Sequence, residues 1–450
     1  MSTILIEGGA LVTLNSQHDV VDPGYLFVED GSILALGPGA PPDDLVGQAG
    51  EVLHAGGMAV IPGMVNAHDH LFQTFVRGLS YDRPLMPWLQ EIVYPISGAM
   101  TEHDVYLAAL LGLVENLHGG ATAVIDNQYL HCARGNDDAV CEAASRLGIR
   151  LLLARGWSDR NVPEAFCQAP DEIIAETERL HKTWRNQGGG RIRVELGPGA
   201  PWACSEETMS RTRDLAEKLG IGIHMHVAET RAELEMDRSR TGKGHIEWLA
   251  SLGMLGPTTQ LVHSVWISDE EIELIVEAGA MVVHCPVSNM FLASGICQVA
   301  RLRKRGVPVA LATDGACNNG QGMIDILKTA ANLQKVAALD ASVFTAHDML
   351  EMACCCGAAA FGQREALGSL EPGKKADVVL VDLNNSRLAL ASPVPSALVY
   401  TASSADVHTV IVDGKILLRD RRVTALDEAA LVAEAKIAWD GVLRRAGVAG

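Results

Sequence analysis

The stretch Ala-Val-Ile-Pro-Gly-Met-Val-Asn-Ala-His-Asp-His, residues 59–70, decides the fold. Its first part lies in an apolar run, Met58–Val65, and its last part contains His68 and His70. Runs that are apolar on both faces are typical of parallel strands covered by helices. The two histidines lie two positions apart, so in an extended segment their side chains point to the same side. The stretch therefore predicts a buried strand that presents two imidazoles at its carboxyl end.

Similar apolar runs recur along the chain and alternate with amphipathic stretches of helical spacing, such as Glu102–Leu117 and Asp171–Arg185. The further runs are Thr122–Asn127, Arg150–Arg155, Arg193–Gly197, Ile221–Val227, Gln260–His263, Met281–His284 and Val307–Thr313. Such strand–helix alternation predicts an α/β fold with a parallel sheet. Periodicity alone leaves open whether the sheet closes into a (β/α)8 barrel or stays open and doubly wound.

Polar residues at the ends of the runs favour the closed form. They are His68 and His70 after the first run, His224, His226 and Glu229 at the fifth, His263 at the sixth, and Asp314 after the eighth. In a (β/α)8 barrel the carboxyl ends of all strands meet at one mouth, where catalytic groups lie. A single histidine at a strand end is usually structural, but a set from four strands indicates a site. Imidazoles with a carboxylate are ligands for zinc or iron.

Both ends of the chain are rich in strand patterns. Thr3–Asn15 and Tyr25–Leu36 at the start resemble Asp377–Asp382 and Val407–Leu418 near the end, and Asp-Gly pairs mark turns. We predict that they pair into a small β-sandwich domain. The predicted limits are residues 1–57 with 366–425 for this domain, 58–365 for the TIM-like barrel and 426–450 for a C-terminal helix.

Composition narrows the function. The chain has 450 residues, 48% hydrophobic and 20% charged, which is typical of a folded protein. Its 55 acidic and 36 basic residues give a net charge of −19, which opposes binding to nucleic acid polymers. No signal-peptide pattern or membrane span is evident, and the adjacent Cys354, Cys355 and Cys356 suit no disulfide framework. We expect a cytoplasmic protein with reduced thiols that acts on a small molecule.

The segments around these residues resemble the amidohydrolase superfamily. The matching segments are His68-x-His70, His226-x-x-Glu229, His263, Thr313-Asp314, Pro62–His68 extended to His70 (PGxxNxHxH), His284–Asn289 (HCPxSN) and Gly368–Asp377 (GxxxxGKxAD). The resemblance covers residues 1 to about 425. It is greatest to the ATZ/TRZ-type group of S-adenosylhomocysteine/methylthioadenosine deaminases, guanine-type deaminases and triazine hydrolases.

This resemblance implies a ligand set. His68, His70, His226 and Asp314 would bind one divalent metal, which we expect to be zinc, with iron as the alternative. Family members with two metals carry a lysine at the end of the fourth strand, whereas residues 193–199 here read Arg-Val-Glu-Leu-Gly-Pro-Gly. The missing lysine favours a mononuclear site.

The resemblance also implies a mechanism. Metal-bound hydroxide would attack a ring carbon that bears an amino group. Glu229 would protonate the neighbouring ring nitrogen, and Asp314 would take the hydroxide proton and return it to the departing amine. His263 would hydrogen-bond the hydroxide. The products would be ammonia and a carbonyl heterocycle.

The sequence is less informative on the substrate. Candidate contacts near strand ends and motifs are Phe72, Trp88, Asn127, Arg155, Trp157, Trp202, Ser288 and Asn289. The segment Leu85–Leu89 resembles one in adenosine-type deaminases, and Ile92–Pro95 resembles a run in triazine hydrolases. Nucleoside deaminases of this group carry an acid where Met86 and Pro87 stand, and a histidine where Gly199 stands. We therefore expect a free nucleobase, a pterin or a triazine.

Several alternatives remain. An s-triazine chlorohydrolase or alkylaminohydrolase would use the same attack with another leaving group, and a nucleoside deaminase of the S-adenosylhomocysteine/methylthioadenosine type would use the same leaving group. A scaffold protein without a metal is disfavoured because all four ligand positions are filled. Cyclic-amide hydrolysis is disfavoured because the strand-four lysine is missing. We expect a homodimer or a larger homo-oligomer, as is common in this family.

Overall fold

Strands form two sheets in the computed structural model of the chain, which describes residues 2–79, 82–133, 135–185 and 187–448. In chain order the strands are β1 (Thr3–Val12), β2 (Val20–Glu29), β3 (Ser32–Pro38), β4 (Glu51–His54), β5 (Met58–Pro62), β6 (Met64–Asp69), β7 (Ala121–Gln128), β8 (Arg150–Trp157), β9 (Ile192–Pro198), β10 (Ile223–Val227), β11 (Thr259–His263), β12 (Met281–His284), β13 (Val309–Leu311), β14 (Val378–Asp382), β15 (Val407–Val412), β16 (Lys415–Arg419) and β17 (Arg422–Val423).

Helices separate most of the strands. They are α1 (Asp43–Gln48), α2 (Leu85–Trp88), α3 (Tyr94–Gly98), α4 (Glu102–His118), α5 (Asn136–Leu147), α6 (Pro170–Trp184), α7 (Glu206–Leu219), α8 (Arg231–Thr241), α9 (His245–Ser251), α10 (Asp269–Ala278), α11 (Pro286–Phe291), α12 (Val299–Lys304), α13 (Met323–Ala338), α14 (Ala346–Glu351), α15 (Gly357–Ala360), α16 (Val394–Tyr400) and α17 (Glu428–Arg445). Across the described ranges, no helix is both long and apolar enough to cross a membrane.

Strands β6 to β13 form one eight-stranded sheet in which each strand pairs with the next along the chain. The amide of Asp314, just beyond β13, donates to the carbonyl of His68 in β6 over 3.0 Å. This bond brings the last strand to the first, and the predicted (β/α)8 barrel is confirmed. Every residue of β7 and β8 is buried, as expected for parallel strands covered on both faces.

The second sheet has nine strands from both chain ends, in the order β17-β16-β15-β14-β5-β1-β2-β3, with β4 paired to β1. Its core joins residues that are far apart in the sequence, including Ile6, Leu26, Val60, Val378 and Ile411. This mixed sheet fits the small domain that the two strand-rich chain ends predicted.

The apolar run Met58–Val65 is not the single barrel strand that we predicted. Met58–Pro62 is β5, which pairs antiparallel with β14 in the mixed sheet, and the barrel strand is Met64–Asp69. Gly63 separates the two strands, and its amide donates to the carbonyl of Asp377 over 2.8 Å. A Cβ at Gly63 would lie 2.1 Å from Oγ1 of Thr122, so no side chain fits there. An apolar run shows burial but not which sheet buries it.

The chain divides into two compact units. One comprises Met1–Asn66, Val114–Ala123 and Gly322–Asp427 and holds the mixed sheet. The other comprises Ala67–Leu113, Val124–Gln321 and Glu428–Gly450 and holds most of the barrel with α17. The predicted domain limits stay predictions. The predicted C-terminal helix lies at Glu428–Arg445, while positions 449 and 450 of that call lie outside the described residues.

Candidate metal centre and active site

Three imidazoles and a carboxylate converge at the carboxyl ends of β6, β10 and β13. Oδ1 of Asp314 lies 3.5 Å from Nε2 of His68 and 3.4 Å from Nε2 of His70. Nε2 of His226 lies 3.2 Å from Nε2 of His70. The four residues predicted as metal ligands are thus brought together, and their donor atoms face one another.

Hydrogen bonds on the outer side of the rings leave the inner nitrogens available. Nδ1 of His70 donates to the carbonyl of Asn127 over 2.7 Å, and Nδ1 of His226 donates to the carbonyl of Gly199 over 2.6 Å. Each ring therefore carries its proton on Nδ1 and directs the lone pair of Nε2 inward. This is the arrangement in which histidine binds a metal.

The charges of the group also fit a cation. Burial lowers the pKa of His68, His70 and His226, so their rings are neutral. Burial opposes ionisation of Asp314, but the facing imidazole of His68, together with those of His263 and His70, outweighs it and holds the pKa of that carboxyl well below its ordinary value. The buried Nε2 of His68 has no hydrogen-bond partner among the described residues. Unpartnered lone pairs around a buried carboxylate are costly unless a cation binds them.

A line of buried hydrogen bonds leads from His68 into the barrel. Nδ1 of His68 lies 2.7 Å from Nε2 of His224, and Nδ1 of His224 lies 2.8 Å from Oε1 of Gln260. Nε2 of Gln260 then donates to Oε2 of Glu195 over 3.1 Å. Because the amide oxygen only accepts, His224 must donate from Nδ1 and accept from His68. Gln260 and Glu195 were missed by the sequence interpretation, which looked at strand ends and not at the barrel interior.

The backbone is strained where the site residues leave their strands. His263 has φ 69°, Asp314 has φ 67° and Ala228, next to Glu229, has φ 48°. Residues other than glycine rarely adopt this left-handed conformation, and such strain concentrates at functional sites.

Glu229 and His263 lie beside the cluster. Nε2 of His263 is 3.6 Å from Oε2 of Glu229 and 3.9 Å from Oδ2 of Asp314. Oε1 of Glu229 accepts from Oγ of Ser294 over 3.0 Å. Burial raises the pKa of Glu229 to about 7, so the carboxyl exchanges between its protonated and ionised forms near neutral pH. Burial lowers the pKa of His263, but the two carboxylates outweigh it and the net shift is upward.

A pocket opens over these groups, with about 610 Å³ of empty space that includes its open mouth. Predicted residues in its lining are His70, Trp88, Trp202, His226, Glu229, His263 and Asp314. Further lining residues, which were not predicted, include Gln73, Leu85, Leu89, Tyr94, Tyr129, Ser158 and Glu233. Tyr129 and Ser158 directly follow β7 and β8, so strand-end position was a signal that could have found them.

Six predicted contacts are not among these lining residues, and three of them support other side chains. Phe72 packs edge-on against Tyr129, with ring centroids 4.9 Å apart. The Asn127 carbonyl holds His70, as described above. Oδ1 of Asn289 accepts from Nδ1 of His263 over 2.9 Å, so Asn289 positions a predicted catalytic group.

The other three are buried, and one of them, Ser288, contacts the lining residue Cys317. Nε of Arg155 lies 3.3 Å from Oδ2 of Asp137, and Trp157 is fully buried. Oγ of Ser288 lies 3.0 Å from Sγ of Cys317. The substrate-contact roles given to these residues stay predictions, without a pocket position to support them.

Known proteins are similar to this chain over nearly its whole length. The amidohydrolase family model matches residues 59–417. A 5'-deoxyadenosine deaminase of Methanosarcina mazei is 35% identical, over 99% of both chains. A 5-methylthioadenosine/S-adenosylhomocysteine deaminase of Symbiobacterium thermophilum is 38% identical, over 93% of this chain and 94% of its own. The crystal structure of an adenosine deaminase from Xanthomonas campestris with bound zinc has a TM-score of 0.92 and 33% identity, and the match covers 98% of this chain and 99% of that one.

Proposed function

The chain belongs to the amidohydrolase family and is a hydrolytic aminohydrolase, and we propose that it deaminates an adenosine-type nucleoside. The observation that carries this proposal is that His70, His226, Asp314 and Glu229 line one pocket, while His68, the fourth member of the cluster, is buried next to His70 and Asp314. The full-length similarity to proteins named as deaminases of 5'-modified adenosines supports the substrate class.

The cluster would hold one divalent cation, and we propose zinc because its donors are imidazole and carboxylate. When bound, zinc supplies Lewis-acid chemistry and lowers the pKa of a water molecule. The similar adenosine deaminase of Xanthomonas campestris has zinc bound in its structure, which supports this choice.

The protein side chains supply the proton transfers. Glu229 in its protonated form donates to the ring nitrogen next to the carbon that bears the amino group. Asp314 stays ionised, accepts a proton from the attacking water and delivers it to the departing nitrogen. His263 is held by Asn289 and directs Nε2 at the same space, where it stabilises developing charge. A carbon–oxygen bond forms, the carbon–nitrogen bond breaks, and ammonia leaves. The remaining proton of the new hydroxyl returns to Glu229 as the ring carbonyl forms.

The nucleoside alternative is better supported than the free nucleobase, pterin or triazine that the sequence led us to favour. That expectation rested on Met86, Pro87 and Gly199, which depart from the nucleoside-deaminase pattern. We propose that the Ser158 hydroxyl takes over a ribose contact. Ser158 lines the pocket, and a Cβ at Gly199 would come within 3.0 Å of its Oγ, so the glycine leaves this hydroxyl accessible.

The pocket wall suits a nucleoside that lacks a free 5'-hydroxyl. Leu85, Trp88, Leu89 and Tyr94 line this wall with mainly apolar surface. An apolar wall favours a methyl or alkylthio group over a hydroxyl, which would lose hydrogen bonds to water there. This preference agrees with 5'-deoxyadenosine and 5-methylthioadenosine, which are named for the relatives.

A substrate panel tests the proposal. The zinc-loaded protein would be assayed for ammonia release from 5'-deoxyadenosine, methylthioadenosine, S-adenosylhomocysteine and adenosine, and from adenine, guanine, isoxanthopterin and melamine. Chloride release from atrazine would be measured in parallel. We expect the highest kcat/KM with a 5'-modified nucleoside. Turnover of free bases or triazines alone would contradict the nucleoside proposal and return the protein to the earlier expectation.

Assembly and location complete the proposal. We propose a homodimer or larger homo-oligomer in the cytoplasm, in line with the expectations from the sequence. We also propose that the ten cysteines, which are free in the structure, are reduced thiols. Light scattering of the purified protein tests the oligomeric state.

A further inference from the structure

The C-terminal helix α17 lies outside the barrel alternation, but it hydrogen-bonds to both sides of the substrate pocket wall. Nε1 of Trp439 donates to the carbonyl of Phe75 over 2.9 Å. Nε of Arg445 donates to the carbonyl of Ala99 over 2.8 Å, and its Nη2 binds the carboxylate of Asp104. These contacts all fall within one compact unit of the chain.

The two anchored carbonyls flank the wall in the sequence. Phe75 ends the short helix Leu71–Phe75, which directly follows His70 of the metal cluster. Ala99 directly follows α3, the last helix of the wall. We define the wall segment as residues 85–98, which include the lining residues Leu85, Trp88, Leu89 and Tyr94.

The wall segment needs support from outside. Helix α2, the π-helical turn Leu89–Val93 and α3 form one continuous helix over residues 85–98, because the residues at both junctions keep helical backbone angles. An isolated helix of this length is at best marginally stable in water, so tertiary contacts must fix its position.

Helix α17 has the features of such a support. Its buried positions Leu431, Ala435, Val442 and Leu443 share one face with Trp439, following helical spacing. Asp104, which binds Arg445, also accepts from the backbone and side chain of Thr101 at the start of α4. Arg445 therefore binds the start of α4 through Asp104 and, at the same time, the carbonyl of Ala99 directly after the wall segment.

We propose that α17 is a positioning element that sets the place of the wall relative to the metal cluster, with Trp439 and Arg445 as its anchors. The proposal rests on the proposed function only for the measurements of KM and kcat, which need a substrate. Neither anchor touches substrate, so their loss should weaken binding and leave the chemical step intact.

The test uses the full-length, zinc-loaded protein and the variants Trp439→Phe and Arg445→Met, with Arg444→Met as the matched control. Trp439→Phe keeps a ring but removes the donor. Arg444 is exposed on the same helix turn and takes no part in either contact. Hydrogen exchange of residues 85–98, KM, kcat and Tm would be measured for each variant.

We expect exchange in the wall segment and KM to rise about fivefold in both anchor variants, as for the loss of one hydrogen bond. We expect kcat to stay within about twofold of its original value, since the reacting groups are untouched. Arg444→Met should change neither. Wall exchange equal to that of Arg444→Met would overturn the proposal. So would a general rise in exchange throughout the barrel, because α17 would then support the whole fold. Because exchange needs no substrate, it decides the proposal even if no nucleoside is turned over.

Discussion

Nδ1 of His68 lies 2.7 Å from Nε2 of His224, so a metal-ligand candidate at the barrel mouth is oriented by a histidine inside the barrel. The proton position on His224 in turn depends on Gln260, because the Gln260 amide oxygen accepts a hydrogen bond from Nδ1 of His224. Without that amide, His224 could turn its proton toward His68 and disturb the orientation of the ligand.

We therefore expect Gln260→Leu to lower zinc affinity about 10- to 100-fold. Competition with a chromophoric chelator would measure the affinity directly. Glu195→Gln is the matched control, because it keeps an acceptor for Gln260 and should retain affinity. Unchanged zinc affinity in Gln260→Leu would show that the line does not orient His68.

Glu195, at the far end of this line of hydrogen bonds, makes the stability of the folded protein depend on pH. Burial raises the pKa of Glu195 to about 7 in the folded protein, while the unfolded chain ionises near the ordinary value. The folded state therefore binds more protons between these values, and stability falls as pH rises through this window. At low pH Glu195 is protonated in both the folded and the unfolded state, so its burial carries no penalty from ionisation.

Glu195→Gln removes this penalty. We expect the variant to match the original protein near pH 4 and to exceed its free energy of unfolding above about pH 7, by at most about 3 kcal/mol. Denaturant unfolding at several pH values would measure the difference. A difference that does not change with pH would contradict the assigned shift.

Glu229 should determine the alkaline limb of the activity profile. Its protonated form is the donor, so kcat/KM should fall as pH rises through its pKa of about 7. Ser294 stabilises the ionised form through its hydrogen bond, so Ser294→Ala should move this limb to higher pH. If the limb stays at the same pH in Ser294→Ala, it must be assigned to a group other than Glu229.

Glu229→Gln tests the same role by removing the proton donor. We expect kcat to fall at least about a hundredfold with zinc content unchanged. Metal analysis by mass spectrometry provides the control, since loss of zinc would explain the effect differently. Near-normal kcat with bound zinc would exclude Glu229 as the general acid.

Ser158 offers a test of nucleoside recognition. We expect Ser158→Ala to raise KM for a nucleoside about tenfold, from the loss of one hydrogen bond to ribose. Because the hydroxyl does not contact the reacting groups, kcat should change little. Gly199→Ala should act similarly, because its methyl group would crowd the same hydroxyl. An unchanged KM in both variants would place the ribose elsewhere.

The barrel and the metal cluster could be predicted because their signals are local. Residues such as His68 and His70 share one short stretch, and strand ends must meet when a barrel closes. The break at Gly63 was not predictable from hydrophobicity, since both neighbouring strands are equally buried. The close approach of Thr122, distant in sequence, shows why the residue between the two strands is a glycine.

Substrate contacts were harder to predict for a related reason. Arg155 and Trp157 lie in a barrel strand, but strand position does not specify which neighbours enclose a side chain. Asp137 encloses Arg155 from another element. The pocket wall in turn is flanked by backbone carbonyls to which α17 donates hydrogen bonds, and local sequence does not encode those contacts.

The most direct test of the central claim is the fate of oxygen and nitrogen during turnover of 5'-deoxyadenosine in isotopically labelled water. The zinc-loaded protein, the chelator-treated protein and Asp314→Ala would be compared by mass spectrometry and ammonia assay. We predict one ammonia per product and one labelled oxygen in the product ring with the zinc-loaded protein alone. Full turnover by the chelated protein or by Asp314→Ala, or a product without solvent oxygen, would contradict metal-dependent hydrolytic deamination.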